Sequence, residues 1–472
     1  MQRVQRNIFA IIVTTAIAWL LVTPASAEEL SLQQVMKIAI EQGKDMQISR
    51  LDVDAAREDT KSMRGHFLPV VTAEANVIIW DDESTAALDM SFLTDILTEL
   101  APLLSPATQA QLAGMSGGGS DMLLREQVTY GASVTVAQPL SQLYQIYYGY
   151  KAKDELHQVA KQQHISARHK LEMDIAKTYL GLLTAQRMVG TTEAALAQVE
   201  EYERQVQAFL DADMVERNAL MKVQVQKADI QQGLFAARKG VRLAKAMLNL
   251  FMNRPLESSF TPSEDDLNLS IAESLLDISL TGQRNQAMKH RPEIKAVQHG
   301  AVAANAGKHA AIGDMLPQIS AMFKYDHKGG MGTMQKENEY YGGVMLSWNV
   351  WEWGATYYKL TAAKKRERKA EIQASSARDQ IMLDVTAKRL ELEEALESLK
   401  AAVVKDDQAR ENLRLEKARY EAKQTTTADL LTAQTLALSA ENDLTAKQLA
   451  VLQNSIALKL AMGRDALDEK GN

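Results

Sequence analysis

The stretch "RYEAKQTTTADLLTAQ", Arg419–Gln434, interrupts one of the most helical-looking parts of the sequence. Strong helix formers stand on both sides of three consecutive threonines. Threonine and aspartate favour turns and helix N-caps over helix interiors. The stretch therefore predicts that one helix ends here and a second helix begins in the reverse direction.

The nine prolines leave two long parts of the chain uninterrupted, from Leu140 to Arg254 and from Pro317 onward. Because proline is excluded from helix interiors, both parts can form very long helices. Between Leu171 and Leu210, apolar residues recur at alternating steps of four and three, which is a coiled-coil pattern. The second part carries two apolar stripes, which predict a helix with neighbours on two sides.

The two helical parts are similar to each other at an offset of 210 residues, which predicts an internal duplication. The matching pairs include Asp174 with Asp384, Leu182 with Leu392, Gln224 with Gln434, and Met252 with Met462. The predicted divisions of the chain are a signal peptide over 1–27, a first repeat over 28–254, an acidic connector over 255–283, a second repeat over 284–463, and a C-terminal tail over 464–472.

The N-terminal segment is basic, then apolar, and ends in "ASA" at Ala27, which is typical of a cleaved signal peptide. A membrane anchor is the alternative, although the apolar run is short for a span. Removing residues 1–27 removes Arg3 and Arg6, so the net charge changes from −7 to −9. This charge disfavours nucleic acid as a partner. The absence of cysteine excludes disulfides, thiol catalysis and lipidation through an N-terminal cysteine.

Four runs alternate apolar and polar residues with a period of two, namely 71–79, 127–136, 318–326 and 340–350. Each run is about ten residues long with one apolar and one polar face, as in a transmembrane β-strand beside a wet lumen. A half-buried strand of a soluble domain is the alternative for any single run. The residues predicted to face the lumen are Glu74, Thr129, Ser133, Thr135, Lys324 and Asp326.

Aromatic residues concentrate where strands pass into helices, as expected of a membrane-interface belt. The predicted interface residues are Tyr144, Tyr147, Tyr148, Trp348, Trp351 and Trp353. Four strands cannot close a barrel, and an open edge in lipid leaves backbone groups unsatisfied. An eight-stranded barrel is nearly filled by its side chains, whereas twelve strands leave a pore. The sequence therefore predicts an oligomer and favours a trimer.

At this point the sequence resembles the TolC family of outer-membrane efflux proteins over nearly all of the mature chain. The matching stretches are "FLPVV" and "MLPQIS" before strands, "AQPL" at 137–140, "RPEI" at 291–294, and "YEAKQTTTADLLTAQTLALSAENDL" from Tyr420. The resemblance implies an α+β membrane protein. Its fold would be a trimeric 12-stranded transmembrane β-barrel, with four strands per protomer, continued by a long periplasmic α-helical coiled-coil barrel and girdled by a mixed domain.

The resemblance also implies a function. The protein would be the passive outer-membrane duct of a tripartite efflux or type I secretion system, opened by a periplasmic adaptor and an inner-membrane transporter. It would be a homotrimer in outer-membrane lipid, with most of the chain in the periplasm. No clustered catalytic residue types stand out, so no enzyme activity, cofactor or metal is expected. The alternative is a periplasmic structural coiled-coil protein without a channel.

In this family the two helix reversals are periplasmic tips that meet the adaptor. The positions expected to touch the adaptor are Asp213, Met214, Val215, Lys423, Gln424 and Thr425. Relatives often carry glycine where Asp213 and Lys423 stand.

The resemblance places the constriction, or gate, of the channel at Tyr420, Asp429 and Thr432. Ala219 stands where the first repeat usually carries an aspartate, so this gate is less acidic than the family pattern. The alternative for Asp429 is a plain helix N-cap after Thr427, and the two roles are compatible.

Two further segments carry less definite expectations. The run "KKRERK", 364–369, is typical of a solvated helix face, and it is alternatively a basic band that attracts anions. The long loop 81–125 is expected to cap the pore or cover the barrel, and the sequence does not choose between the two.

Overall fold

The computed structural model describes residues 28–87, 95–96, 99–103, 105–115, 121–263, 270–332 and 336–466. The predicted signal peptide and the end of the predicted C-terminal tail lie outside these residues. The chain divides into two compact units. The helical unit comprises 1–56, 156–301 and 369–472, and the sheet unit comprises 57–155 and 302–368.

The described strands are β1 Glu28–Leu30, β2 Val70–Ile79, β3 Ser84–Ala87, β4 Asp121–Pro139, β5 Phe260–Pro262, β6 Gln318–Met331 and β7 Asn338–Ser347. The described α-helices are α1 Leu32–Gln42, α2 Lys44–Gly65, α3 Pro106–Met115, α4 Leu143–Asp211, α5 Arg217–Phe251, α6 Ser270–Leu276, α7 Leu280–His290, α8 Pro292–Gly313, α9 Ala355–Glu421 and α10 Thr427–Ala461.

The two proline-free parts of the chain form the long helices that the sequence predicts. Helix α4 has 69 residues and α9 has 67, so each is roughly 100 Å long. Each is followed by a return helix of 35 residues, α5 or α10. The return helices begin 210 residues apart, at Arg217 and Thr427.

The core of the helical unit joins the start of the chain to the acidic connector. Strand β1 pairs in parallel with β5, which lies inside the connector. The Tyr179 side chain of α4 is 1% exposed, and its hydroxyl lies 2.7 Å from the carbonyl oxygens of both Leu30 and Ser263. The connector is therefore packed structure, which supports the expectation that it contributes to a mixed domain around the helices.

The sheet unit contains an antiparallel sheet in the order β2-β4-β6-β7, so the four runs with a period of two do form neighbouring strands. Two details differ from the sequence expectation. Strand β7 ends at Ser347, so Trp348 lies outside it. The short strand β3, which the sequence analysis did not identify, extends the β4 edge from inside the loop 81–125.

Seven of the described residues have a positive φ, and four of them fall into two pairs separated by 210 residues. Asp213 and Lys423 have φ values of 55° and 59°, and Asn253 and Gly463 have values of 55° and 77°. Side chains other than glycine disfavour this region. This geometry explains why glycine suits the tip positions that Asp213 and Lys423 occupy here.

Gly463 should not tolerate a side chain, whereas a glycine inside a helix should. We expect Gly463→Ala to cost at least about 1–2 kcal/mol of unfolding free energy. Its Cβ would also lie 2.8 Å from the backbone nitrogen of Arg291. Gly181→Ala in α4 is the matched control, because its Cβ would meet nothing within 4 Å. It should stabilise by up to about 1 kcal/mol. Urea unfolding followed by circular dichroism measures both, and equal effects would contradict the backbone argument.

Candidate functional site

The two helix reversals, here called the first tip (212–216) and the second tip (422–426), lie side by side in the helical unit. They enclose a cavity of about 490 Å³. Its lining residues are Phe209, Met214, Val215, Glu216, Asn218, Ala219, Lys222, Tyr420, Lys423, Thr425, Thr426, Thr427 and Ala428. Four of the six residues predicted to touch an adaptor therefore share one cavity. Asp213 and Gln424 belong to the same turns but do not line it.

The second tip is held by a reciprocal hydrogen-bond pair, a capping box. Thr426 is the N-cap of α10, and its hydroxyl accepts a bond of 3.2 Å from the backbone nitrogen of Asp429. The Asp429 carboxylate accepts a bond of 2.7 Å from the Thr426 hydroxyl and one of 3.3 Å from the Thr426 backbone nitrogen. The expectation that Asp429 itself is the N-cap is therefore wrong, because α10 begins at Thr427, three residues earlier than an N-cap at Asp429 would require.

Hydrogen bonding also sets the charge state of Asp429. The bonds from Thr426, with a further bond of 3.2 Å from the Thr425 hydroxyl, hold the pKa of the Asp429 carboxyl below its usual value. A depressed pKa keeps the group ionised at neutral pH. The second tip thus presents a fixed negative charge in the first turn of a helix, where the helix dipole favours it.

The first tip has no equivalent of this capping box. Its N-cap is Glu216, whose side chain makes no capping hydrogen bond. Ala219 occupies the position that corresponds to Asp429 and offers no carboxylate. The two tips therefore have the same backbone path, but only the second has side chains that stabilise the helix start.

The other two predicted gate residues are positioned by different contacts. Tyr420 is partly buried against an apolar cluster that includes Val206 and Leu430, and its hydroxyl lies 3.4 Å from the Thr427 hydroxyl. The Thr432 hydroxyl donates to the Ala428 carbonyl within its own helix at 2.8 Å. Among the described residues, no hydrogen bond joins Tyr420, Asp429 and Thr432 to one another.

In the sheet unit, the strand register brings the predicted lumen residues onto one face. Glu74 lies opposite Ser133, which lies opposite Asp326 on the next strand. In the adjacent row Thr135 lies opposite Lys324, whose ammonium is 3.1 Å from the Asp326 carboxylate. Thr129 is on the same face, where its hydroxyl accepts a bond of 3.0 Å from the Trp80 indole nitrogen. This face, called the polar face below, is charged but internally paired.

The opposite face of the same sheet is apolar and exposed. Val77 is 69% exposed and Val344 is 70% exposed, at the two ends of the strand order. The face also carries Val71, Ile79, Val134, Phe323 and Leu346, all exposed. A continuous exposed apolar surface of this kind marks a contact with protein or lipid.

A second cavity of about 490 Å³ lies on the polar face and includes residues that the sequence analysis missed. The Arg125 guanidinium lies 3.8 Å from the centre of the Trp80 ring, and it donates to the Asp82 carbonyl at 3.2 Å. Both side chains line the cavity. In the sequence, only the position of Trp80, directly after a run with a period of two, could have indicated this site. The loop between Trp80 and Arg125 has no periodic pattern that would place the Arg125 side chain against the Trp80 ring.

The predicted interface aromatics lie at the strand-to-helix transitions. Tyr144, Tyr147 and Tyr148 begin α4, where Tyr147 and Tyr148 pack edge to face. After β7, Trp351 and Trp353 pack against each other with ring centres 5.8 Å apart. Trp348 is exposed one residue beyond the end of β7.

One group in the helical unit combines metal-ligand residue types, namely His169, Glu172 and Asp465. The Arg168 guanidinium already pairs with both carboxylates, at 2.8 Å from Glu172 and 2.9 Å from Asp465. Glu172 is fully buried and also accepts the backbone N–H of Ala466 at 3.3 Å. The cluster is thus an ion-pair network that attaches residues 465–466 to α4.

Over the described residues, no helix combines the length and apolar character needed to cross a bilayer.

Comparison with known families finds a match in the C-terminal part of the chain. Residues 284–464 match the family model for outer membrane efflux proteins. This part of the chain contains β6, β7 and the second tip, and the match confirms the resemblance drawn from the sequence.

Solved structures extend the similarity to the fold of nearly the whole chain. A membrane protein from Pseudomonas aeruginosa superposes with a TM-score of 0.75 at 16% identity, covering 93% of this chain and 91% of the other. The Campylobacter jejuni CmeC outer membrane channel gives 0.71 at 13% identity, covering 93% and 87%. The open state of the Neisseria gonorrhoeae MtrE outer membrane channel gives 0.67 at 20% identity, covering 92% and 89%. No curated protein sequence matches the chain.

The difference between the tips gives a test within the efflux-protein fold. Thr426→Ala should cost about 1 kcal/mol, because it removes a side-chain cap. Glu216→Ala is the matched control at the first tip and should have little effect, because Glu216 makes no capping bond. The unfolding midpoint in urea at pH 7 measures both changes.

The stability contributed by the capping box of the second tip should depend on pH. A depressed folded pKa contributes stability that is present above the unfolded value of about 3.9 and is lost as pH falls through the folded value. The difference in unfolding free energy between wild type and Thr426→Ala should therefore become smaller below about pH 4. If this difference in unfolding free energy stays constant down to pH 2, the stabilising effect of Thr426 does not depend on the ionised Asp429 carboxylate.

Proposed function

We propose that the protein is the outer-membrane exit channel of a tripartite efflux or type I secretion system. The observation that carries this proposal is the sheet with one exposed apolar face, one polar face and two open edges. Within the described residues, β2 pairs only with β4, and β7 pairs only with β6. The apolar face is the surface for outer-membrane lipid, and the polar face lines the lumen.

The open edges support a closed oligomer. In lipid, the free N–H and C=O groups of an edge strand have no water to bind, so they must pair with another strand. Pairing β2 of one protomer with β7 of the next satisfies both edges at once. Three protomers then give a 12-stranded transmembrane barrel, which leaves room for a pore.

The exposed stripes on the long helices support the same assembly. In the helical unit, Phe235 of α5 and Leu383 of α9 are each 70% exposed, and Leu243 and Leu390 extend these stripes. Such apolar surface on long helices is stabilised by packing against further helices. The homotrimer would cover it and produce the periplasmic α-helical coiled-coil barrel.

Matching details at an offset of 210 residues support an internal duplication. The return helices α5 and α10 have equal lengths, and the four positive-φ positions fall at corresponding places. A first repeat over 28–254 and a second over 284–463 account for both observations.

The tip cavity is the proposed contact with a periplasmic adaptor. Its apolar floor and its rim, with Met214, Val215, Lys423 and Thr425, fit a side chain from a partner protein. Asp213 and Gln424 flank it on the same turns. The channel itself is a passive conduit and not an enzyme, so energy and cargo selection come from the adaptor and the inner-membrane transporter. Residues 1–27 would direct export, and most of the chain would lie in the periplasm.

Asp429 is the proposed gate residue. In a trimer one Asp429 becomes a ring of three carboxylates, and such rings favour cations in narrow pores. The capping box supports this role because it fixes the position and the ionised state of the carboxylate. Tyr420 and Thr432 would lie near the same constriction.

A periplasmic structural coiled-coil protein without a channel is the second candidate, favoured by the length of α4 and α9. Fractionation separates the two. A channel requires detergent for extraction and runs as a heat-sensitive trimer, whereas a structural coiled coil is released without detergent.

The faces of β4 can be tested by labelling, because the chain contains no cysteine. Successive residues of a strand point to opposite faces, so Thr135→Cys should face the lumen and Val134→Cys the lipid. A water-soluble thiol reagent should label position 135 and spare position 134 in intact cells. Ser133→Cys is the matched control on the polar face and should behave like position 135. Equal labelling of 134 and 135 would exclude the barrel.

The acidic ring can be tested in planar bilayers. Hexamminecobalt added from the periplasmic side should block current through the wild-type channel. Asp429→Asn should weaken the block at least roughly tenfold, because multivalent cations bind close like charges. Asp429→Glu is the control, since it keeps a carboxylate at this position. If Asp429→Asn is blocked as strongly as wild type, or if Asp429→Glu weakens the block as much as Asp429→Asn, the ring lies elsewhere.

A further inference from the structure

The first turns of α9 carry a concentration of basic residues that the proposed channel does not use. Between Ala355 and Lys369 there are six basic residues and one acidic residue, Glu367. The six are Lys359, Lys364, Lys365, Arg366, Arg368 and Lys369. A solvated helix face accounts for exposed charge in general, but not for charge of nearly one sign.

The surrounding structure neutralises only part of this cluster. Lys359 pairs with Asp314, the residue directly after α8. Glu367, the one acid within this stretch of α9, is bound at 2.7 Å by Lys308 and at 2.6 Å by Asn305, both of α8. Lys364, Lys365 and Arg366 are exposed, and among the described residues none of the three forms an ion pair. These three are called the basic triad below.

Exposed aromatic residues directly precede the basic triad. Tyr358 is 68% exposed and Trp353 is 87% exposed, with Trp351 and Tyr357 also exposed. Tyr358 and Lys365 are seven residues apart, so they lie about 10 Å apart along the helix axis. The polar headgroup layer on each side of a bilayer is about 5–7 Å thick. A lysine stem can extend back towards such a layer while its ammonium stays in water.

The first repeat provides an internal comparison. Tyr147 and Tyr148 correspond to Tyr357 and Tyr358 at the offset of 210 residues. In the following turn, however, Lys151 and Lys153 are balanced by Asp154 and Glu155, and Lys153 pairs with Asp59 at 2.7 Å. The aromatic pair is present in both repeats, whereas a large excess of basic over acidic residues directly follows it only in the second.

We infer that the basic triad, together with Tyr357 and Tyr358, binds the phosphate headgroup of an anionic phospholipid in the periplasm-facing leaflet of the outer membrane. The inference rests on the proposed function, because it requires the apolar face of the sheet to lie in that membrane. Aromatic side chains occupy the interface, and clustered lysine and arginine attract anionic lipid within a Debye length of the surface. The second repeat thereby fixes the depth of the barrel in the bilayer.

The test compares lipid binding by the intact oligomer. Detergent-solubilised protein is titrated with phosphatidylglycerol or phosphatidylcholine, and native mass spectrometry gives the apparent Kd. We expect wild type to prefer phosphatidylglycerol. The variant Lys364→Gln/Lys365→Gln/Arg366→Gln should lose that preference by on the order of tenfold or more, with binding of phosphatidylcholine unchanged.

Two further variants separate the site from net charge and from misfolding. Arg378→Gln/Lys400→Gln/Lys417→Gln removes the same charge from exposed positions further along α9 and should keep the preference. Lys364→Arg/Lys365→Arg/Arg366→Lys keeps the charge at the triad, so it should also keep the preference for phosphatidylglycerol. If the glutamine triad variant retains the wild-type preference, the inference is wrong.

The remaining outcomes distinguish the lipid from a soluble anion and from failure of the channel. A changed anion selectivity in bilayer recordings, with an unchanged lipid preference, would assign the triad to the lumen and overturn the inference. If wild-type protein inserts into vesicles of phosphatidylcholine and phosphatidylglycerol but does not bind phosphatidylglycerol preferentially, the lipid inference is wrong. The proposed channel function is not affected by that result. Wild-type protein that inserts into neither would overturn the proposed function itself.

Discussion

The unpaired edges of one antiparallel sheet are the constraint on which the rest of this structure depends. Strands β2 and β7 each satisfy their backbone groups on one side only within the described residues. The same sheet exposes an apolar face, which favours a non-aqueous surrounding. In such a surrounding an open edge cannot persist, because each unsatisfied backbone group costs several kcal/mol. The closed assembly of several copies proposed above would satisfy both conditions.

The long helices of the helical unit also have surfaces that need a neighbour. Each has a buried stripe that packs within the chain, as Tyr179 and Leu392 illustrate, and exposed apolar positions that do not. A helix with two apolar stripes is stable only with neighbours on both sides. The sheet and the helices therefore require the same thing, a symmetric neighbour, for different physical reasons. Backbone hydrogen bonds demand it in one unit, and burial of apolar side chains demands it in the other.

Corresponding positions of the two repeats differ where function is proposed. At the tips, Thr426 and Asp429 form a capping box, while Glu216 and Ala219 do not. At the helix starts, the tyrosine pairs correspond, but a large excess of basic over acidic residues directly follows only Tyr357 and Tyr358. In the proposed duplication the two copies keep the same turns, since helix length and positive φ are set locally. Its side chains are free to diverge, so a ring built from such a chain alternates between two kinds of subunit surface.

The sequence by itself determined the elements whose signals are periodic and local. The proline-free stretches predicted α4 and α9, the period of two predicted the four main strands, and the threonine run predicted the break before α10. Tertiary structure decided which side chains meet. Strand register placed Glu74, Ser133 and Asp326 in one row, and helix packing brought Met214 and Lys423 to one cavity. It also placed Arg125 against Trp80. The cap at Thr426 is different, because its capping box with Asp429 spans only three residues and is a local signal. The other contacts join residues far apart in the chain, and no local pattern encodes such contacts.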